Sequence, residues 1–128
     1  MQIERSDIRR YTNGEIFTPL ELVKEMLDEL PSVYFTDPEK TICEPCVGEG
    51  VFLAEILRRR IDQGLSPTES LRTLYGVDIM ADNITACKAT LLAIAGNTRE
   101  HREIVNRNIQ CQNSLEYDFS FTDTKERN

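Results

Sequence analysis

Apolar residues divide the chain into alternating helical and extended segments. In "FTPLELVKEMLDELP", Leu20, Val23, Leu27 and Leu30 recur at helical spacing, and Met26 widens the stripe. Thr18 suits an N-cap, Pro19 the first helical position and Glu21 the third place of a capping box, while Pro31 closes the helix. "KTICE" reads as a short strand between the turn-like "TDPE" and Pro45. The glycine loop Val47–Gly50 then opens a helix over Val51–Gln63, with Phe52, Leu53, Ile56 and Leu57 inward and Gly64 as its stop. "SPTESLRT" repeats the capping grammar with Ser66, Pro67 and Glu69, and leads into a strand, "TLYGVDI", ending at Asp78. A long helix over Ala81–Ala95 is expected to bury Ile84, Cys87, Leu91 and Ile94 and to stop at Gly96. "NTREHREIVN" is polar and compatible with a helix, with His101 expected in solvent. "NIQCQNS" reads as a third short strand, and the period-two Tyr117, Phe119 and Phe121 as a half-buried strand or hairpin arm.

Strands alternating with helices predict one α/β domain: a parallel sheet with helices on its faces, joined by right-handed crossovers. Residues 1–13 and 122–128 are expected to be a flexible lead and tail. In such sheets ligands bind beyond the carboxyl ends of the strands. Glu44–Gly50, Asp78 and Gln112–Ser114 therefore fall into one site although they are distant in sequence.

Charge and cysteine usage narrow the function classes. The 128 residues carry a net charge of −7, which makes the chain alone a poor binder of phosphate backbones. No apolar run approaches the ~20 residues of a membrane span, and the charged N-terminus lacks a signal-peptide core, so a cytoplasmic chain is expected. Of the four cysteines, Cys43 and Cys46 form a C-x-x-C without a second pair, so all four are read as structural thiols and no metal site is expected.

The loop "CEPCVGEGVFL" carries the chemistry. A dinucleotide fingerprint needs a third glycine where Leu53 stands, and its acid about 20 positions on, nearer than Asp78. Gly48 and Gly50 still permit positive φ and close approach of backbone to a ligand. Amides at the following helix start favour a carboxylate, while Glu44 and Glu49 disfavour pyrophosphate and suit a ligand that also carries positive charge. A zwitterion bearing a ribose fits this mixture, with Asp78 placed to accept from sugar hydroxyls. The competing reading makes Asp78 the N-cap of the next helix, a role open to Asp82 or Asn83 as well.

Four runs in order, "GEIFTPLELVKEMLD", "EPCVGEGVFL", "YGVDI" and "NIQCQNSL", resemble the motifs of S-adenosylmethionine-dependent adenine-N6 DNA methyltransferases. The arrangement is the gamma type of restriction–modification enzymes, with the cofactor-binding half first, and the resemblance covers roughly residues 10–119. It implies a truncated Rossmann-like methyltransferase fold and S-adenosylmethionine as cofactor. It further implies Thr18, Pro19, Glu44, Pro45, Gly48 and Gly50 around the methionine moiety, Asp78 on the ribose and Ile79 against adenine. Where the family usually offers Asp to the adenine amino group this chain has Asn113, whose side-chain carbonyl can also accept. Phe52 occupies a variable apolar position of the family and is read as core.

The family's second half-site carries Asp or Asn, two prolines and an aromatic that stacks on the flipped base. None of the five prolines here is adjacent to another, so no catalytic residue is assigned and the isolated chain is expected to be inactive. Three readings follow: one part of a split methyltransferase completed by a complementary chain, a non-catalytic cofactor-binding or protein-interaction module, or a scaffold with an empty pocket. DNA is expected to be reached only through a partner. With the family's remaining strands absent, "TICE" should expose an edge, covered by the "YDFSF" tail, a second copy in a homodimer, or a partner. Arg58–Arg60, at a helix end, are read as solvated.

Overall fold

The computed structural model describes residues 19–121; Thr18, the lead and the tail from residue 122 lie outside them. Nine elements follow in order: α1 (Leu20–Asp28), α2 (Val33–Thr36), β1 (Ile42–Glu44), α3 (Val51–Asp62), α4 (Pro67–Arg72), β2 (Leu74–Asp78), α5 (Ala81–Ala95), α6 (Arg99–Asn108) and β3 (Ile109–Cys111). The strands form a parallel sheet in the order β1–β2–β3, with Ile42 opposite Leu74 and Gly76 opposite Ile109. This is the short parallel sheet with flanking helices that the alternation predicts. Among the described residues no helix is long and apolar enough to cross a membrane.

Local chemistry explains most boundaries. Ser66 Oγ accepts the Glu69 N–H at 3.1 Å while Glu69 Oε2 accepts the Ser66 N–H at 3.0 Å, which completes the capping box that starts α4. Gly64 and Gly96 follow α3 and α5 with φ of 100° and 107°. Helix α1 begins one residue later than expected, since Pro19 is extended and its carbonyl accepts the Val23 N–H. It ends at Asp28, before Pro31, and the short α2 was not foreseen.

One core joins residues from every helix to one face of the sheet. Val23 and Leu27 of α1, Leu53 and Leu57 of α3, Ile84 and Leu91 of α5, and Ile104 of α6 pack with Leu74 and Ile109. Gly76 belongs to this face: a Cβ there would lie 2.8 Å from Val47 Cγ2 and 3.2 Å from Leu53 Cδ1. Because side chains alternate along strands, Cys43, Tyr75 and Val77 point to the opposite face. There the structure brings aromatic rings instead of helices: Phe121 packs tilted against Tyr75 with ring centroids 4.6 Å apart, and Tyr117 and Phe119 lie beside it. The helices thus gather on one face. The "YDFSF" segment is irregular, with a turn at Phe119–Ser120, rather than a strand, and its Phe121 ring meets Tyr75 of β2. Strand β1 stands at the edge and pairs, among the described residues, with β2.

Two polar residues expected in solvent belong to the interior. Arg60 is 0% exposed. Its guanidinium donates to the carbonyls of Tyr34, Lys40 and Ser70 and to Thr73 Oγ1, at 2.6–3.0 Å, and so ties α3 to α2, α4 and the approach to β1. Burial lowers its pKa to about 10. Its neighbours behave as helix-end arginines do: Arg58 bonds Glu55, and Arg59 bridges Glu55 and Asp28. His101 is also buried, with Nδ1 2.8 Å from the Gly96 carbonyl and Nε2 2.9 Å from Thr68 Oγ1. The polar sequence around it hides this, because α6 buries only the side that carries His101, Ile104, Val105 and Asn108.

Candidate functional site

The loop after β1 is held from two sides. The Val47 N–H donates to the Val77 carbonyl at 2.8 Å, which lays the loop across the end of β2. The Gly48 N–H then donates to Asp78 Oδ2 at 2.9 Å. Gly48 and Gly50 adopt φ of 57° and 89°, left-handed values that cost a residue with Cβ about 1–2 kcal/mol. Gly50 is the N-cap of α3, and its carbonyl accepts the Ala54 N–H, so the turn passes directly into the helix.

Asp78 is the hub. It is buried, and besides Gly48 it accepts the Met80 N–H on Oδ1 at 2.8 Å and Asn83 Nδ2 at 3.4 Å. Asp78 therefore orders both the glycine loop and the entry to α5, whose N-cap Met80 has no side-chain cap of its own. A carboxylate offers about four lone-pair sites, so these three bonds leave room for a further donor. Asp82 turns to the Asn83 N–H instead.

The end of β3 joins the same rim, since the Gln112 N–H donates to the Asp78 carbonyl at 3.1 Å. Asn113 is exposed and closes a turn: its Oδ1 accepts the Leu115 N–H at 2.9 Å and its carbonyl accepts the Glu116 N–H. Ile79, 63% exposed, presents a bare apolar side chain next to Asp78. Glu44 lies half-buried at the end of β1, and burial raises its pKa above 4.5. Pro45 is exposed behind it. The structure thus brings together Glu44, Pro45, Gly48, Gly50, Asp78, Ile79 and Asn113 at the carboxyl ends of three parallel strands. Pro19 stands exposed at the start of α1, which packs on α3, and Thr18 lies outside the described residues.

Several contributors escape a reading of motifs. Val47 and Gly76 set the contact between loop and β2, and Cys87 of α5 lies fully buried under Gly50. The signal for Cys87 was its place on the inward stripe of α5; what that stripe would touch was not readable. Cys43 and Cys46 have their thiol pKa values raised by burial, Cys43 to about 11, which keeps them protonated at neutral pH.

This arrangement offers glycine backbone and the start of α3 to a carboxylate-bearing ligand, a half-buried acid to a cation, a buried carboxylate to hydroxyls and an apolar shelf to a flat ring. Comparisons with known proteins give the family. The family model for N-6 DNA methylases matches residues 7–126. The chain is 30% identical over 124 residues to the type II methyltransferase M.VspI of Vibrio sp. (strain 343), a match covering 93% of this chain and 27% of that protein. It is 36% identical over 88 residues to an uncharacterized adenine-specific methylase of Mycoplasma pneumoniae, covering 64% of this chain and 21% of that protein. The chain thus spans about a quarter of the length of these curated relatives, and no solved structure gives a significant match. A match of this extent, over the same strand ends that build the site, makes the chain a member of the N-6 DNA methylase family.

Proposed function

We propose that this chain binds S-adenosylmethionine as the cofactor-holding part of an adenine-N6 DNA methyltransferase, and that a complementary polypeptide supplies the half-site for the target base. The observation that carries this reading is the bond from Gly48 N–H to Asp78 Oδ2, which fixes a glycine loop beside a buried carboxylate at adjoining strand ends. The residues suit the cofactor. Gly48 and Gly50 give backbone access to its amino-acid end, with Thr18 and Pro19 assigned to the same end from the motif. Glu44 and Pro45 border the loop, and the Glu44 carboxylate balances the ammonium. Asp78 retains acceptor capacity for ribose, Ile79 offers its side chain to the adenine face, and Asn113 closes the rim near its amino group. The bound cofactor supplies an electrophilic methyl group on a sulfonium. The chain's own residues hold and orient it and shield one side from water.

The 128 residues contain no Asp/Asn-Pro-Pro-aromatic run, and the net charge of −7 disfavours DNA, so base capture is assigned to the partner polypeptide. Isothermal titration with S-adenosylmethionine and with its demethylated product tests the first part. Saturable binding of either is expected, and absence of heat with both overturns it. Methyl transfer from labelled cofactor to adenine in DNA tests the second: the isolated chain is expected to give none, and incorporation by it alone overturns the division of labour.

A further inference from the structure

The glycine loop rests on α5. A Cβ built on Gly50 would lie 2.7 Å from Cys87 Sγ and 3.3 Å from both Cys87 Cα and Cβ, distances that real side chains do not tolerate without displacement. Cys87 is 0% exposed, and one turn before it Asn83 reaches the Asp78 carboxylate from the same helix. Two inward residues of α5 thus touch the two structures that form the candidate site, the loop from below and its carboxylate from the side.

We propose that Cys87 is a positioning residue for the cofactor: its sulfur sets the height of the Gly48–Gly50 turn, and so how closely the loop backbone can approach the ligand, without touching the ligand. The size of the side chain is the relevant property. A residue with a second branch at Cβ would lift the turn and strain the Gly48–Asp78 bond, and a smaller one would let the turn settle. Burial pushes the Cys87 thiol up to about 12, so the floor stays uncharged across the working range of pH. The inference rests on the S-adenosylmethionine reading for its consequence in binding, but the loop geometry can be measured without ligand.

The test uses the full chain with Cys87→Val, Cys87→Ala, Gly50→Ala and the double variant Gly50→Ala/Cys87→Ala. Leu91→Ala serves as control, because Leu91 is equally buried one turn further along α5 and belongs to the core. In the ligand-free protein, Cys87→Val is expected to speed amide exchange at Gly48 by about tenfold relative to Leu91→Ala at matched stability. In titrations with the demethylated cofactor, Gly50→Ala should lose affinity. The double variant should lose about tenfold less than the product of the two single losses, because removing the sulfur makes room for the new methyl. Losses that multiply within about twofold, or Gly48 exchange in Cys87→Val equal to that in Leu91→Ala, would overturn the proposal. If the wild-type chain binds no cofactor, the functional reading fails, and the exchange experiment still decides whether Cys87 supports the loop.

Discussion

Replacing Asp78 by Asn keeps its size and changes one thing: an acceptor oxygen becomes an NH2 donor and the charge is lost. In the native chain Oδ2 accepts the Gly48 N–H and Oδ1 accepts the Met80 N–H and Asn83 Nδ2. Whichever way the amide turns, its NH2 faces a backbone N–H in a side chain only 6% exposed. A bond to a charged group contributes about 1.5–3 kcal/mol, and a buried donor without an acceptor costs about 1–3 kcal/mol. One bond lost, with partial relaxation of the loop, gives an expected loss of about 2–4 kcal/mol. Urea unfolding followed by circular dichroism measures it, provided the slope m is unchanged. Hydrogen exchange should show the Gly48 amide losing protection ahead of β2. A change below about 0.5 kcal/mol, the range of neutral surface substitutions, with Gly48 still protected, would refute the role of Asp78 as the loop's anchor. Asp78→Glu then separates anchoring from ligand binding. The longer side chain cannot keep both backbone bonds, so stability should fall, whereas a carboxylate that serves ribose should retain measurable affinity.

Arg60→Met should destabilise by about 3–5 kcal/mol in the same assay, because buried carbonyls lose a charged donor; a loss under about 1 kcal/mol would mean that water or neighbours satisfy them. The Glu44 carboxyl has a pKa raised by burial, so the folded chain holds its proton to higher pH than the unfolded one. Its contribution is fully present below the unfolded pKa and is lost as pH rises through the folded pKa. Glu44→Gln should therefore gain stability relative to wild type as pH rises above the unfolded carboxyl value of about 4.3, checked by urea midpoints on a rising pH series; the opposite slope sinks the assignment. Phe121→Ala removes the ring packed against Tyr75 and should cost about 0.5–1.5 kcal/mol with increased binding of an apolar dye, while an unchanged dye signal would mean that the rings do not cover the sheet.

How far the sequence disclosed this molecule depends on the range of the interactions. Signals read within a turn or two held: the Ser66–Glu69 box, the stop at Gly96, and α5 over Ala81–Ala95. The convergence of Glu44–Gly50 with Asp78 and Gln112 also held, because topology dictates it. What failed depends on contacts made across the fold. Arg60 looks like its neighbours Arg58 and Arg59 until α2 and α4 close over it and offer carbonyls. His101 sits in a polar run, yet Thr68 and Gly96 meet it from other elements. Alternation of Tyr117, Phe119 and Phe121 suggested a strand, but the rings find Tyr75 through turns, so apolar contact was legible where backbone conformation was not. The two readings of Asp78 were posed as rivals; bonds to Gly48 and Met80 give it a structural role, and three acceptor bonds on a carboxylate do not exclude a ligand.

The distribution of apolar surface bears on the proposed division of labour. Parallel sheets are ordinarily covered on both faces, and here every helix joins the core on one. The other face has Tyr75 under rings that stay partly exposed, Phe119 by 43%. The glycine loop is held by β2, α3 and α5, through the Val77 carbonyl, the Asp78 carboxylate, the Gly50 N-cap and contact with Cys87. In the proposed reading, binding the cofactor and completing the active site therefore place demands on different surfaces. That reading expects titration and methyl transfer to give different answers for these 128 residues.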